Sequence, residues 1–345
     1  MNNAIMKNMN VSHPLKAAAI ATGIAFGSLG QCFAGSGAAF LKVPVGARSV
    51  GMGNAYTATV NDVTALHYNP AGLSRLGRKE LSFMHAELFA DQRYDFIGYG
   101  MPIGMGGREV SEISDAPFMS RDSKARTPFA SPWGLGFSAI YLSHGSLEGR
   151  DEQGRKTGDF GANDFAFHMG LSRKVTQRSY FGATVKALRE SIGSDSASGF
   201  AADLGYMARM PRFTLGLSLL NLGPSLKFSS ERYSLPLTLA TGAGYALGGG
   251  LILSADYKHR LSDNVSSLGA GGEFSVMNNF SIRAGYLSQL TNLSKSSSGS
   301  RNLADQLTGL GMGFGLRAFK SQIDYALTPM GELGLTQRVS LTTRF

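Results

Sequence analysis

From Leu81 onward, apolar and polar positions alternate with a period of two rather than 3.6. Trp133, Leu135, Phe137, Ala139 and Tyr141 alternate with Gly134, Gly136, Ser138 and Ile140. Phe165, Phe167, Met169 and Leu171 alternate with Ala166, His168, Gly170 and Ser172, and Phe280, Ile282, Ala284 and Tyr286 with Ser281, Arg283, Gly285 and Leu287. One face is aromatic and aliphatic, the other glycine, serine and charge. Each run is about 9–11 residues, the length of a tilted membrane strand, and the apolar sets often end in Tyr, Trp or Phe, as in the aromatic girdle of a lipid-facing barrel. The alternation predicts about fourteen strands, at 80–90, 94–103, 133–142, 163–174, 180–190, 199–210, 212–221, 237–246, 250–259, 265–277, 279–288, 308–319, 321–328 and 336–345. The first two are weakest, because His85 and Glu87 fall on the face of Phe83. An even count agrees with the bacterial outer-membrane rule and leaves no sheet edge unpaired.

The connections alternate as well. Every second one is tight: Lys174 to Arg178, Met210-Pro211, Gly248-Gly249, Asn278-Asn279 and Lys320. The intervening ones are longer and polar: Ser143 to Asn163, Ser191 to Ser198, Asn221 to Pro236, His259 to Asn264, Gln289 to Leu307 and Pro329 to Leu335. Short turns at one mouth and long loops at the other fit an outer-membrane barrel. Pro102 to Pro132 breaks the rule, being long where a turn is due, and reads either as an insertion at 102–132 on the periplasmic side or as a sign that the first two strands are miscounted.

The N-terminal part has no such alternation. Residues 1–34 read as a signal peptide: Lys7 and Lys16 precede the apolar run Ala17 to Leu29, too short to span, and Ala34 ends a cleavable stretch. Cys32, the only cysteine, leaves two readings open. It is a lipidation site, with Leu29 three residues before it, or it departs with the signal; Gln31 stands where lipidation expects a small residue. Glycine, 45 of 345 residues, is nearly double the usual ~7 %. The net charge of +9 is spread without a Lys/Arg cluster interleaved with aromatics, so nucleic acid is not expected as a partner.

Residues 35–79 are the least strand-like part of the mature chain. Gly46, Gly51 and Gly53 lie close together, where backbone must pass near other backbone. Asn61-Asp62 is a turn pair, and Asn69-Pro70-Ala71-Gly72 is a helical-turn signature, with Asn as cap and Pro at the first helical position. The segment is too short to fold alone and is expected inside the barrel formed by 80–345, as a hatch. At the other end, Phe345 closes an alternating strand with Val339 and Leu341 on its face, resembling the C-terminal signal by which outer-membrane barrels reach their assembly machinery.

The stretches Pro44-Val45-Gly46-Ala47-Arg48, Gly51-Met52-Gly53 and Asn69-Pro70-Ala71-Gly72-Leu73 resemble the N-terminal hatch of the PorV/PorQ family. The match is densest over Gly37 to Leu76; Asn54, Asn61 and Tyr68 depart from the family pattern in small ways. The resemblance implies an all-β fold, a fourteen-stranded antiparallel transmembrane barrel with a hatch, related to the FadL fatty-acid transporter. It also implies location in the outer membrane of a Gram-negative bacterium, in contact with its lipid. The implied hatch residues are Gly46, Arg48, Gly51, Gly53, Asp62, Asn69, Pro70 and Gly72. Two functions follow: a type IX-like secretion component that binds exported proteins with C-terminal signal domains or secretion-system subunits, or a FadL-like passive route for hydrophobic compounds and long-chain fatty acids.

No G-x-S-x-G, H-E-x-x-H or paired Cys points to an enzyme, a cofactor or a metal. Asp203, Asp256, Glu273, Arg283, Arg317, Asp324, Arg338 and Arg344 fall on inward faces, where they are expected to pair across strands and with the hatch or to line a path. The inward faces read as mainly glycine, serine, threonine and charge, which leaves room for a hatch rather than an apolar channel. The sequence reading therefore favours the secretion component over uptake.

Overall fold

The structure, a computed structural model, describes residues 36–104, 133–151, 153–228, 231–290, 309–330 and 334–345. The expected signal segment 1–34, Cys32 with it, and residues 105–132 of the expected insertion lie outside the described residues.

Fourteen antiparallel strands close into one barrel. They are β1 (Glu80–Glu87), β2 (Arg93–Ile103), β3 (Trp133–Arg150), β4 (Lys156–Lys174), β5 (Ser179–Ile192), β6 (Asp195–Arg209), β7 (Phe213–Leu222), β10 (Thr238–Gly248), β11 (Leu251–Arg260), β12 (Val265–Met277), β13 (Phe280–Gln289), β14 (Leu310–Ala318), β15 (Ser321–Pro329) and β16 (Leu335–Arg344). A separate hairpin, β8 (Leu226–Phe228) with β9 (Glu231–Tyr233), lies between β7 and β10. The seam joins β1 to β16, with Glu80 opposite Arg344 and Glu87 opposite Gln337. We call the end holding Glu80 and Arg344 the near mouth and the other the far mouth. No helix among the described residues is long and apolar enough to cross a membrane.

Alternation sets the two faces of the wall. Phe165, Phe167, Met169 and Leu171 on β4 are each 42–46 % exposed, whereas Ala166, His168 and Ser172 between them are buried. The same ladder recurs as Leu215 and Leu217, Leu253 and Tyr257, Ile282 and Tyr286, Met312, Phe314 and Leu316, and Val339 and Leu341. A continuous apolar belt of this size is incompatible with water and fits a lipid-facing wall. One polar pair interrupts it: His85 Nδ1 and Asp95 Oδ1 are 2.6 Å apart on the outer face. They border a shallow cleft of about 580 Å³ with Phe83, Ile97, Tyr141 and Val339.

Three far connections differ from expectation. Much of Ser143 to Asn163 is strand, because β3 and β4 continue as a paired ribbon to Arg150 and Lys156. A register shift between Ser143 and Ser146, at Gly145 with φ 70°, marks where the ribbon leaves the regular wall. Ser191 to Ser198 is likewise mostly strand, turning at Gly193-Ser194. Asn221 to Pro236 carries β8 and β9, whose Leu226 and Phe228 are buried rather than exposed.

Candidate functional site: the hatch and the lumen

Residues 36–79 run through the lumen as short helical turns at Ala39–Lys42, Ala47–Gly51, Ala65–Tyr68 and Pro70–Arg75, joined by tight bends. None of these turns is long enough to be stable alone, so the wall holds them. Ser36 bridges Ser234 just after β9, towards the far mouth; Glu80 begins β1 at the near mouth. In between, the backbone of the hatch lies directly on wall glycines. A Cβ added at Gly134, Gly182, Gly205, Gly216, Gly285 or Gly311 would overlap hatch atoms of Leu73, Pro70, Asn69, Thr57, Gly53 or Val50 respectively. The close approach is reciprocal at Gly53, which has φ 61° and where a Cβ would sit 2.5 Å from Tyr286 N.

Wall carboxylates receive hatch backbone donors. Asp256 Oδ2 accepts from Tyr56 N (2.8 Å), Thr57 N (2.8 Å) and Thr57 Oγ1 (2.6 Å). Glu80 Oε1 accepts from Val63 N (2.8 Å), and its Oε2 holds Arg344 Nε at 2.8 Å. Arg48, on the turn at Ala47–Gly51, forks onto Glu273 with Nε–Oε2 of 2.7 Å and Nη2–Oε1 of 2.8 Å, and also reaches Tyr56 Oη and Asn61 Oδ1. Glu273 is shared with Arg283 (2.5 Å), which continues to Asp324 (2.7 Å). Burial works against the Arg48 charge, but Glu273 and Asp62 hold it protonated. Asp62 accepts from Tyr56 Oη and from the Thr64 hydroxyl.

The Asn69-Pro70 turn is built as its residues dictate. Asn69 caps the turn by accepting from Ala71 N, with Pro70 at the first helical position. Its Nδ2 also donates to Thr57 O (2.9 Å) and to Tyr206 O of β6 (3.1 Å), tying two hatch segments to each other and to the wall. Gly46 starts the turn at Ala47–Gly51 with φ 83°; Gly51 packs on Arg283 and Gly313, and Gly72 on Val60.

Of the inward charges read from the sequence, most are paired. Asp203 bridges Lys186 at 2.7 Å and accepts from Asn221 N; Asp256 has Lys258 at 3.7 Å. Arg317 donates to Gln322, and both Arg317 and Arg344 are only half-buried, near the mouth. Arg338 is different. It is buried on β16, its Nε has no hydrogen-bond partner, and no carboxylate among the described residues lies within salt-bridge distance of it. The sequence reading missed Glu80, Lys186 and Lys258 as lumen charges, although each lies on the inward set of its strand. Phe345, the C-terminal aromatic, is half-exposed and stacks on Tyr99 with ring centroids 6.4 Å apart.

The lumen has two levels, which corrects the expectation of a uniformly small and polar lining. In the near half of β1–β6 the inward residues are mostly small or polar, Glu80, Ser82, Gly98, Gly100, Gly134, Gly136, Ser138, Gly182, Thr184 and Asp203, with Tyr180 and Met207 among them. In the far half they are Met84, Ala86, Tyr94, Phe96, Ile140, Leu142, Ala166, Leu188, Ala197 and Ala201, all buried, with the buried polar side chains of Gln92, His144, Asp164 and Glu190 towards the far mouth. Phe40, Leu41 and Val43 of the hatch and Leu226, Phe228 and Leu235 around the β8–β9 hairpin belong to the same apolar cluster. At the boundary stand two imidazoles, His67 of the hatch and His168 of β4. Burial first, then Lys186, Lys258 and Arg338, pushes His67 well below its ordinary pKa, so it is neutral.

Residues 15–238, more than half of the chain, match the family described as Uncharacterised protein family (UPF0164). The chain belongs to the UPF0164 family. No curated protein matches it in sequence. This UPF0164 barrel is similar in fold to the toluene transporter TodX of Pseudomonas putida, with 13 % identity, a TM-score of 0.58, and 86 % of this chain and 96 % of that one covered. It is also similar to a FadL homologue of Pseudomonas aeruginosa (13 % identity, TM-score 0.59, 88 % and 99 % covered). The toluene transporter TbuX of Ralstonia pickettii gives 14 % identity and a TM-score of 0.57, with 87 % and 98 % covered. At these identities the likeness concerns the fold: a closed fourteen-stranded barrel of the FadL type.

Proposed function

We propose that this UPF0164 barrel is a passive route for hydrophobic small molecules across the outer membrane, gated by its hatch. The observation that carries the reading is the apolar far half of the lumen. A hatch needs only close backbone contact with glycines and a few carboxylates, which the near half already supplies. Tyr94, Phe96, Ile140, Leu142 and Leu188 add a lining suited to an apolar solute, with Gln92, His144, Asp164 and Glu190 as a polar group towards the far mouth. That lining is now covered by Phe40, Leu41, Val43 and the β8–β9 hairpin, so admission of a solute requires these residues to yield. The fold shared with barrels described as toluene transporters supports this reading.

The secretion-linked alternative rests on the hatch motif, which is common to both functions, and it gains no observation of its own from the lumen. The test is paired. The full chain is expressed in a transporter-null host, and uptake of toluene and dodecanol is measured beside recovery of co-purifying secreted proteins, for wild type and Asn69→Ala at matched barrel abundance. Uptake that depends on the protein and rises when the hatch is loosened is the expected result. Protein capture without uptake would replace the proposal with the secretion role.

A further inference from the structure

The apolar compartment ends on a row of polar groups that nothing in the protein satisfies. Ser138 on β3 lies opposite His168 on β4, and His168 opposite Lys186 on β5. The next inward row towards the far mouth is apolar: Phe96, Ile140, Ala166 and Leu188. Ser138 is 3 %, Thr184 1 % and His168 0 % exposed. Among the described residues, Ser138 Oγ, Thr184 Oγ1 and both ring nitrogens of His168 have no hydrogen-bond partner. Thr184 sits on β5 one inward row nearer the near mouth, diagonal to His168. The hatch turn Ala65–Tyr68 packs against β3 and β4 and carries His67, whose Nδ1 is also buried and unpartnered. Groups in this state are rare, because leaving a buried hydrogen bond unmade costs more than making it returns. Neighbouring charges do not use them. Lys186 Nζ is taken by Asp203 (2.7 Å) and Asn221 Oδ1 (2.6 Å). The imidazole–carboxylate pairs among the described residues are His85–Asp95 and His144–Asp164, so neither His67 nor His168 has an acid.

We propose that Ser138 and His168 form a hydroxyl-recognition site, which takes the neutral O–H of an alcohol or phenol whose apolar body lies in the far compartment. The inference deepens the uptake reading and rests on it for its biological meaning. A neutral imidazole offers one donor and one acceptor, and a serine hydroxyl offers both as well. The pair can therefore give a hydrogen bond to the ligand oxygen and accept the ligand's proton in another. A pure hydrocarbon leaves every one of these groups unpaired, and a carboxylate brings a charge that Lys186, already matched by Asp203, is not free to balance. Phe96 turns its ring over Gly98, which lies opposite Ser138, so an aromatic face stands beside the hydroxyl site.

The probes are toluene and p-cresol, which differ by one hydroxyl. Binding of each radiolabelled compound to the purified full-length barrel in detergent is measured for wild type, Ser138→Ala and His168→Leu, with heat-modifiable migration as the check of folding. Each substitution should weaken p-cresol binding about fivefold, the scale of one neutral hydrogen bond, and leave toluene binding within about twofold. Ser138→Ala removes a single oxygen, which covers the case in which His168→Leu fails to fold. A second readout uses wild-type barrel with nitrogen-15 in its imidazoles. There p-cresol should move the ring-nitrogen resonances of His168, identified by their loss in His168→Leu, well beyond what toluene does. Binding of p-cresol that is unchanged in both variants, or His168 nitrogens that respond alike to the two probes, means that only water meets these groups and overturns the inference. Uptake in the transporter-null host is read separately. Toluene uptake, with p-cresol binding indifferent to both substitutions, would leave the proposed route standing and remove the hydroxyl site. Weakened p-cresol binding in both variants, with no uptake of either compound, would keep the site and remove the route.

Discussion

At the scale of single residues, Asn69 joins three pieces of backbone through one amide: the Ala71 N–H, the Thr57 carbonyl and the Tyr206 carbonyl. Replacing it with Ala costs about 1 kcal/mol for the cap and about 1–3 kcal/mol for each buried carbonyl left unpaired. Asn69→Asp keeps the cap but loses both donations and adds a buried charge, so it should loosen the hatch as well. Amide hydrogen exchange across residues 55–76 is the measurement, and protection should fall in both variants; an unchanged Asn69→Asp would show that only the cap matters. His67 gives a pH dependence. Its folded pKa is depressed by burial and by Lys186, Lys258 and Arg338, so its stabilising contribution is present above the unfolded value of about 6.5 and is lost as the pH falls below it. Hatch protection factors, exchange corrected for its intrinsic pH dependence, should therefore fall between about pH 6.5 and pH 5, and His67→Gln should flatten that response. The cap at Asn69 was legible because an N-cap followed by Pro is a local code. The solitude of Arg338 was not, because its absent partner would come from strands far away in sequence.

At the scale of elements, the strands were readable wherever one face meets lipid and the other small residues, since that contrast is what period two records. It fails in three places for physical reasons. Beyond Ser143 the β3–β4 ribbon leaves the wall, and both faces become polar and look like a loop. β8 and β9 are three residues each, too short to show any period. The apolar far lining was obscured because Ile140 and Leu142 lie on the inward set of a strand whose outward set is also apolar. One chain of charges that binds hatch to wall is Arg48–Glu273–Arg283–Asp324. Glu273→Gln leaves two buried guanidinium groups short of charge. Removing one partner of a buried pair typically costs about 3–5 kcal/mol. The variant should lower the temperature at which the folded band converts on gels, and Glu273→Gln with Arg48→Met should recover part of the loss.

At the scale of the whole molecule, the alternation of connections between mouths held for the tight turns at Val175–Arg178, Gly249-Gly250 and Asn279, all at the near mouth. If the near mouth faces the periplasm, Gln153→Cys in the β3–β4 turn should label with an impermeant maleimide on intact cells, whereas Gln177→Cys should label only after lysis. Equal labelling would reverse or dismantle the assignment of the two mouths.

The hatch enters the lumen beside Ser234, towards one mouth, and leaves at Glu80, at the other. In topological terms it is a thread through a ring, and a closed ring cannot acquire a thread from the side. The hatch is joined to the wall by chain only at Glu80, so either the β1–β16 seam zips shut around a hatch already in place or the hatch enters end-on through the near mouth, and the first route makes a test. A disulfide that staples the seam early, between Ser82→Cys and Thr342→Cys, whose oxygens are 2.9 Å apart, should trap barrels whose hatch lies outside and is cut by protease. The same staple made after folding should leave the hatch protected.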